Sequence, residues 1–231
     1  MTEAKQKKVF GYFNSDGSEY TVTEPDTPIP FVNYYWNSVF ISGASQHLAG
    51  IGCFNARPIQ YMHPECRALL VNNENRHFYM RDKDTGGIWS PGWYPTLTPL
   101  DSYACAHGLG YSRISSSRTK IDIQLRLFVP EKEPCEIWTL TVKNSGEAHR
   151  NIQSFAFVEW LLKGYPEYCD YHSGLQSVYD EASSVLICYN KSSERNHDFY
   201  NGFIASDARP AGLEKKKKAF MGYGQVDRPK A

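Results

Sequence analysis

Residues 79–113 read YMRDKDTGGIWSPGWYPTLTPLDSYACAHGLGYSR, and this stretch decides the fold class. Short apolar runs in it are separated by glycine and proline, the pattern of closely spaced strands joined by tight turns. Asp84-Thr85-Gly86-Gly87 offers the positive-φ residues that a hairpin turn needs, and Ser90-Pro91-Gly92 offers a second turn of the Pro-then-Gly kind. The region is read as β-rich. No spacing inside it specifies a reaction.

Toward the C-terminus the strand signal is cleaner. Ile121, Ile123, Leu125 and Leu127 alternate with Asp122, Gln124 and Arg126, which puts the four aliphatic side chains on one buried face. Pro130 ends that strand. Trp138, Leu140 and Val142 repeat the alternation, Asn144-Ser145-Gly146-Glu147 turns the chain, and residues 150–160 form a third long strand. Toward the N-terminus, residues 9–13 and 19–23 flank the Gly-containing loop Asn14-Ser15-Asp16-Gly17-Ser18 and are expected to pair as a hairpin. Pro25, Pro28 and Pro30 make residues 24–30 an extended connector, which leads into an aromatic segment at 31–41. Residues 42–77 are the least legible. The tail offers shorter strands at 184–189 and 199–204, and the run Lys215 to Lys218 reads as a solvated loop. Long antiparallel strands with one alternating face are the material of a sandwich, so the expectation is an all-β fold with little helix.

Composition narrows the partners. The chain of 231 residues carries 25 basic and 25 acidic side chains, so no net field draws it to nucleic acid or to an anionic membrane. Neither partner is expected. No apolar run reaches membrane-spanning length, and MTEAKQKKVF lacks the apolar segment of a secretory signal. A cytoplasmic location is expected, with residues 1–8 a disordered leader. The six cysteines at 53, 66, 105, 135, 169 and 188 form no CxxC pair, so free thiols are expected rather than a metal ribbon or a disulfide scaffold. Aromatics make up 14% of the chain, which suits strands first and sugar faces second.

Several motifs stand in one order: GYFNSDGSEYTVTEPDTPIPFVNY at 11–34, RDKDTGGIWSPGWYP at 81–95, LDSYACAHGLGYSRI at 100–114, FVP at 128–130, EIWTLTVKN at 136–144 and FAFVEW at 155–160. Together they resemble the amino-terminal domain of the glycoside phosphorylases related to cellobiose and chitobiose phosphorylase, glycoside hydrolase family 94, and the resemblance covers most of the chain. It implies an antiparallel super-β-sandwich, galactose mutarotase-like, over residues 9–231. The sandwich is expected to be incomplete at its C-terminal end, with the catalytic (α/α)6 barrel absent from this chain. Two departures from the family pattern stand out: LAGIGCF at 48–54 replaces a glycine-rich AGGYSF-like turn, and Ala106 stands where the family usually carries Arg.

For chemistry, the resemblance implies reversible phosphorolysis of a β-linked disaccharide to a sugar 1-phosphate and a free sugar, with inversion. Inorganic phosphate is the co-substrate, no cofactor is involved, and the working unit is a homodimer. The single carboxylic acid that protonates the leaving oxygen belongs to the barrel, which agrees with the failure of any spacing among the 25 acids here to select a catalytic pair. No catalytic residue is therefore assigned. In related phosphorylases the loop after the FVEF-like strand reaches the partner subunit's active site, so Tyr165, Tyr168, Asp170, Tyr171 and His172 are the candidate substrate-binding residues. Asp170 and His172 replace amides and keep acceptor ability with altered charge. Trp160 could stack on a sugar, although continuing the strand is its plainer role. His107, in the HGLGY motif, is expected to be a buried hydrogen-bonding residue beside a glycine turn. Cys169 and His172 lack a second ligand pair, so no metal site is assigned. The alternative reading is a stand-alone carbohydrate-binding or structural β-sandwich without catalysis.

Overall fold

The computed structural model describes residues 8–54, 76–160, 175–190, 201–222 and 227–230. Fifteen strands and one short helix occur among them, and every strand pairing is antiparallel. The all-β expectation is met. The chain divides into two compact units, residues 1–158 with 226–228 and residues 159–225 with 229–231. Among the described residues no helix is long and apolar enough to cross a membrane.

The first unit is built on a six-stranded sheet. Its order is β1 (Gly11–Phe13), β2 (Glu19–Val22), β8 (Ser102–Gly108), β9 (Tyr111–Arg118), β10 (Ile121–Phe128) and β11 (Ile137–Asn144). Two three-stranded sheets belong to the same unit: β3 (Val32–Trp36), β4 (Phe40–Ser45) and β5 (Gly50–Phe54) in one; β12 (Ile152–Val158), β6 (Arg76–Asp82) and β7 (Ile88–Trp89) in the other. The alternation in β10 sends Ile121, Ile123, Leu125 and Leu127 inward, each no more than 3% exposed. Leu125 and Leu127 pack with Val22, Cys105 and Ile114 against Tyr35, Ala44 and Leu48 of the first small sheet and its turn. Ile121 and Ile123 pack against Met80 and Trp89 of the second. One face of the large sheet thus carries two adjoining cores, and each fully buried aliphatic contributes about 1.5–3 kcal/mol.

The turns behave as their residues dictate. Asn14 closes the first hairpin by accepting the Glu19 N–H at 3.1 Å. The β6–β7 hairpin turns at Gly86, where φ is +73°. In Ser90-Pro91-Gly92 the Trp93 N–H donates to the Ser90 carbonyl at 2.9 Å, but glycine is needed there for a reason the turn type does not give: a Cβ at Gly92 would lie 2.4 Å from the His47 carbonyl oxygen. The two-residue turn between β9 and β10 holds Thr119 and Lys120 at φ of +49° and +65°, with no glycine. Three expectations need adjustment. The strand expected at 150–160 is shorter, Ile152–Val158. The illegible region contains β4 and β5, whose turn places Leu48 at φ +60°, while residues 55–75 lie outside the described residues. The lysine run, read as a loop, instead opens a helix, α1 (Lys217–Met221), because Phe220 and Met221 are buried on one side of the turn that follows it.

The second unit holds a sheet of β13 (Leu175–Asp180), β14 (Val185–Asn190) and β15 (Asn201–Ala205), close to the two short strands expected at 184–189 and 199–204.

Two buried ion pairs tie the first unit together. Arg76 at the start of β6 is 5% exposed; its guanidinium donates to Glu136 at 2.5 Å, to the Gly43 carbonyl at 2.9 Å and to the Leu48 carbonyl at 3.1 Å. Glu136 also accepts from Ser42 Oγ and from Trp138 Nε1, each at 2.7 Å. Asp82 at the other end of β6 is bound by Arg150, and it accepts from Thr85 Oγ1 at 2.8 Å and from the Asp84 N–H at 2.9 Å. Burial pushes the Asp82 carboxyl up, but those hydrogen bonds and the Arg150 charge outweigh it and hold the group at about 2.

Removing one partner of a buried pair strands the other, so Arg76→Ala should cost about 3–5 kcal/mol of stability. The urea midpoint of the variant measures this, and an unshifted midpoint would refute the role given to Arg76. For Asp82 the folded value lies below the ordinary 3.8, so its stabilisation is fully present above pH 4 and is lost as pH falls toward 2. Relative to Asp82→Asn, the wild-type chain should lose about 2 kcal/mol between pH 4 and pH 2. Thermal melts of both proteins across that window test it, and parallel pH curves would contradict it.

Candidate functional site

The candidate substrate-binding residues Tyr165, Tyr168, Asp170, Tyr171 and His172 fall in residues 161–174, which lie outside the described residues, as does Cys169. What is on view is the stem from which that segment departs. Trp160 does not continue β12, which ends at Val158; its ring lies against Gly202 of β15, so close that a Cβ on Gly202 would meet it at 2.4 Å. Next to it Glu159 accepts from Lys217 Nζ at 2.7 Å, which joins the stem to the first residue of α1. Lys215 in turn donates to the Ser177 carbonyl of β13 at 3.3 Å. A ring packed on backbone and a half-buried ion pair hold Trp160 and Glu159 themselves in place.

His107 has the environment that its motif suggests. Its Nε2 lies 3.1 Å from the Phe31 carbonyl, which can only accept, so Nε2 carries the proton and Nδ1 accepts from Ser112 Oγ at 2.9 Å. Burial pulls the imidazole down to about 4, against the pull of the Phe31 carbonyl. It is neutral at pH 7. Cys105 Sγ lies 3.8 Å from Nε2 and Ser112 Oγ sits on the other side, a grouping of nucleophile types that invites a catalytic reading. The chemistry rejects it. Cys105 is fully buried, burial pushes its thiol up, and Nε2 already carries a proton, so it cannot accept another as a base. The group fastens the connector before β3 to β8 and β9. Asn33 completes that fastening by donating to the Gly108 and Tyr111 carbonyls at 2.9 and 2.8 Å.

The conspicuous carboxylates are engaged by arginine as well. Glu136 holds Arg76 and Asp82 holds Arg150, while Glu19 takes Arg113 at 3.1 Å together with the Tyr111 hydroxyl. A general acid needs a carboxyl raised toward neutrality, which an adjacent guanidinium opposes. Among the described residues no group of three or more His, Cys, Asp or Glu is placed to hold a metal ion. Cys105, Cys135 and Cys188 are free thiols, each raised by burial, Cys188 to about 11. Sequence reasoning missed the Arg76–Glu136 pair and the Asp82–Arg150 pair. The available signal was an arginine and an aspartate at the two ends of RHFYMRD, around the apolar centre Phe78-Tyr79-Met80, where a buried charge needs a partner.

Comparison with known proteins places this geometry. The model of the glycosyl hydrolase 94 supersandwich domain matches residues 18–231. Solabiose phosphorylase of Paenibacillus borealis is 40% identical over 223 residues, which is 95% of this chain and 29% of that protein. N,N'-diacetylchitobiose phosphorylase of Vibrio proteolyticus is 30% identical over 92% of this chain and 27% of its own length. The 3-O-beta-D-glucopyranosyl-beta-D-glucuronide phosphorylase of Paenibacillus borealis is 33% identical over 78% of the chain and 22% of its own. The chain thus spans less than a third of the length of these relatives and matches their amino-terminal part. With antiparallel sheets and a family match over nearly its whole length, the chain belongs to the glycosyl hydrolase 94 family, as its supersandwich domain.

Proposed function

We propose that residues 9–231 serve as the amino-terminal sandwich of an inverting disaccharide phosphorylase, a cytoplasmic homodimer that converts a β-linked disaccharide and inorganic phosphate to a sugar 1-phosphate and a free sugar. The observation that carries this reading is the 40% identity to solabiose phosphorylase over 95% of the chain, supported by two further phosphorylases that act on sugars. In this reading the sandwich contributes no acid and no nucleophile. It contributes a rigid base for residues 163–172, whose Tyr165, Tyr168, Asp170, Tyr171 and His172 meet the hydroxyls of the acceptor sugar in the partner subunit's active site. The Trp160 and Glu159 anchors support this, because a loop that reads hydroxyls must leave its scaffold from a fixed point.

Two outcomes follow. The 231-residue chain alone should release no sugar 1-phosphate from cellobiose or chitobiose with phosphate, and detection of that product would overturn the division of labour. In the enzyme that carries this sandwich, Asp170→Ala and His172→Ala should each weaken acceptor kcat/KM in the synthetic direction by about 1 to 3 kcal/mol, because a sugar hydroxyl then loses its buried partner. Melting temperature and turnover of the sugar-phosphate donor should be nearly unchanged. Unaltered acceptor kinetics in both variants would return the segment to the role of a connector.

A further inference from the structure

The six-stranded sheet buries one face, and its other face has a composition that the sandwich does not need. The registers of β8, β9, β10 and β11 set the outward side chains in rows that run across the strands. One row is Ser102, Ser117, Asp122 and Lys143; the next is Ala104, Ser115, Gln124 and Thr141. Above these two rows lies an open depression of about 470 Å³. Its floor is low because Ala104 and Ser115 are small, and Gln124, Thr141 and Lys143 stand higher along one side.

The chemistry of the floor selects its occupant. Ser102 Oγ and Ser117 Oγ share a hydrogen bond at 2.7 Å and keep further acceptor sites, and Ser115, Gln124 and Thr141 are exposed with donors and acceptors facing solvent. An apolar helix laid here would strand those groups, whereas a ligand with closely spaced hydroxyls would satisfy them. Asp122 and Lys143 face each other directly across β10 and β11, so their charges offset and call for no ion. In the row beyond, Glu19 takes Arg113, while the Arg126 guanidinium is held 4.5 Å from the Tyr111 ring and 5.2 Å from that of Phe128. These groups lie outside the lining of the depression and are engaged with one another. The volume lies within the range of small-ligand sites, about 300–1,000 Å³, and strand spacing of about 4.8 Å presents hydroxyl rows on the scale of a sugar ring.

We propose that this outer face of the six-stranded sheet is a binding surface for an uncharged, extended oligosaccharide, with Ser115, Gln124 and Thr141 as its main contacts. It places a sugar-binding role on the first unit, whereas the acceptor reading rests on residues 163–172.

Isothermal titration of the 231-residue chain with cellotetraose tests it, with tetragalacturonate as the charged probe. Cellotetraose should bind saturably with little dependence on salt. Ser115→Trp, which fills the floor, should weaken binding about tenfold or more, and Gln124→Ala combined with Thr141→Ala should do the same. The double variant removes only exposed side-chain atoms and decides the matter if Ser115→Trp fails to fold by circular dichroism. Sugar bound through residues 163–172 would survive the double variant, so failure of the acceptor reading and failure of this one are separable. Absence of saturable binding, equal binding by the double variant, or a preference for tetragalacturonate with steep salt dependence would each overturn the proposal.

Discussion

The guanidinium of Arg76 is the constraint on which the first unit depends. It sits where three sheets converge: at the start of β6, beside the carbonyls of Gly43 in β4 and Leu48 in the following turn, and against Glu136 just before β11. Apolar packing alone would let the two small sheets slide over the large one, because dispersion is not directional. A charge buried to 5% exposure tolerates no such sliding, since each displaced donor forfeits its partner in a medium that cannot replace it. Trp138 adds a second hold, donating to Glu136 while its ring lies 5.7 Å from the Arg76 guanidinium. The pair therefore fixes register between sheets as much as it adds stability.

Much of this architecture was legible before any coordinates. The inward face of β10 could be read off four aliphatic residues at period two, and the hairpins at Asn14 and Gly86 off their turn residues, because those signals are local. The family motifs carried the identity. What stayed hidden is non-local. Arg76 and Glu136 are 60 residues apart, and nothing in either neighbourhood names the other. Gly92 was read as a turn residue, yet its requirement comes from the His47 backbone in a different element. Lys215 to Lys218 looked like a loop because lysine composition says nothing about the burial of Phe220 and Met221 that shapes the helix. The candidate substrate residues at 165–172 came from resemblance alone, and the described residues reach only their stem.

The interior separates scaffold from chemistry. Polar groups that would attract a catalytic reading, His107, Cys105, Glu136 and Asp82, are neutral or paired, and His107, Glu136 and Asp82 each join elements distant in sequence. The outer face of the six-stranded sheet carries exposed hydroxyls at Ser115 and Thr141 and an exposed amide at Gln124.

The turn between β9 and β10 bears on the order in which the chain can fold. A two-residue hairpin between adjacent strands is ordinarily among the earliest elements to close, on the microsecond scale. Here both central residues, Thr119 and Lys120, are L side chains in left-handed backbone, so the isolated hairpin is biased against closing. Its geometry is held instead by distant neighbours. Asp101 accepts the Thr119 N–H at 2.6 Å, Arg150 donates to the Thr119 carbonyl at 3.1 Å, and Ser145 donates to that of Lys120 at 2.8 Å. Those residues precede β8, follow β11 and precede β12. The most local contact in the large sheet thus waits on less local ones, and nucleation is shifted from the hairpin to the assembly of the sandwich around it.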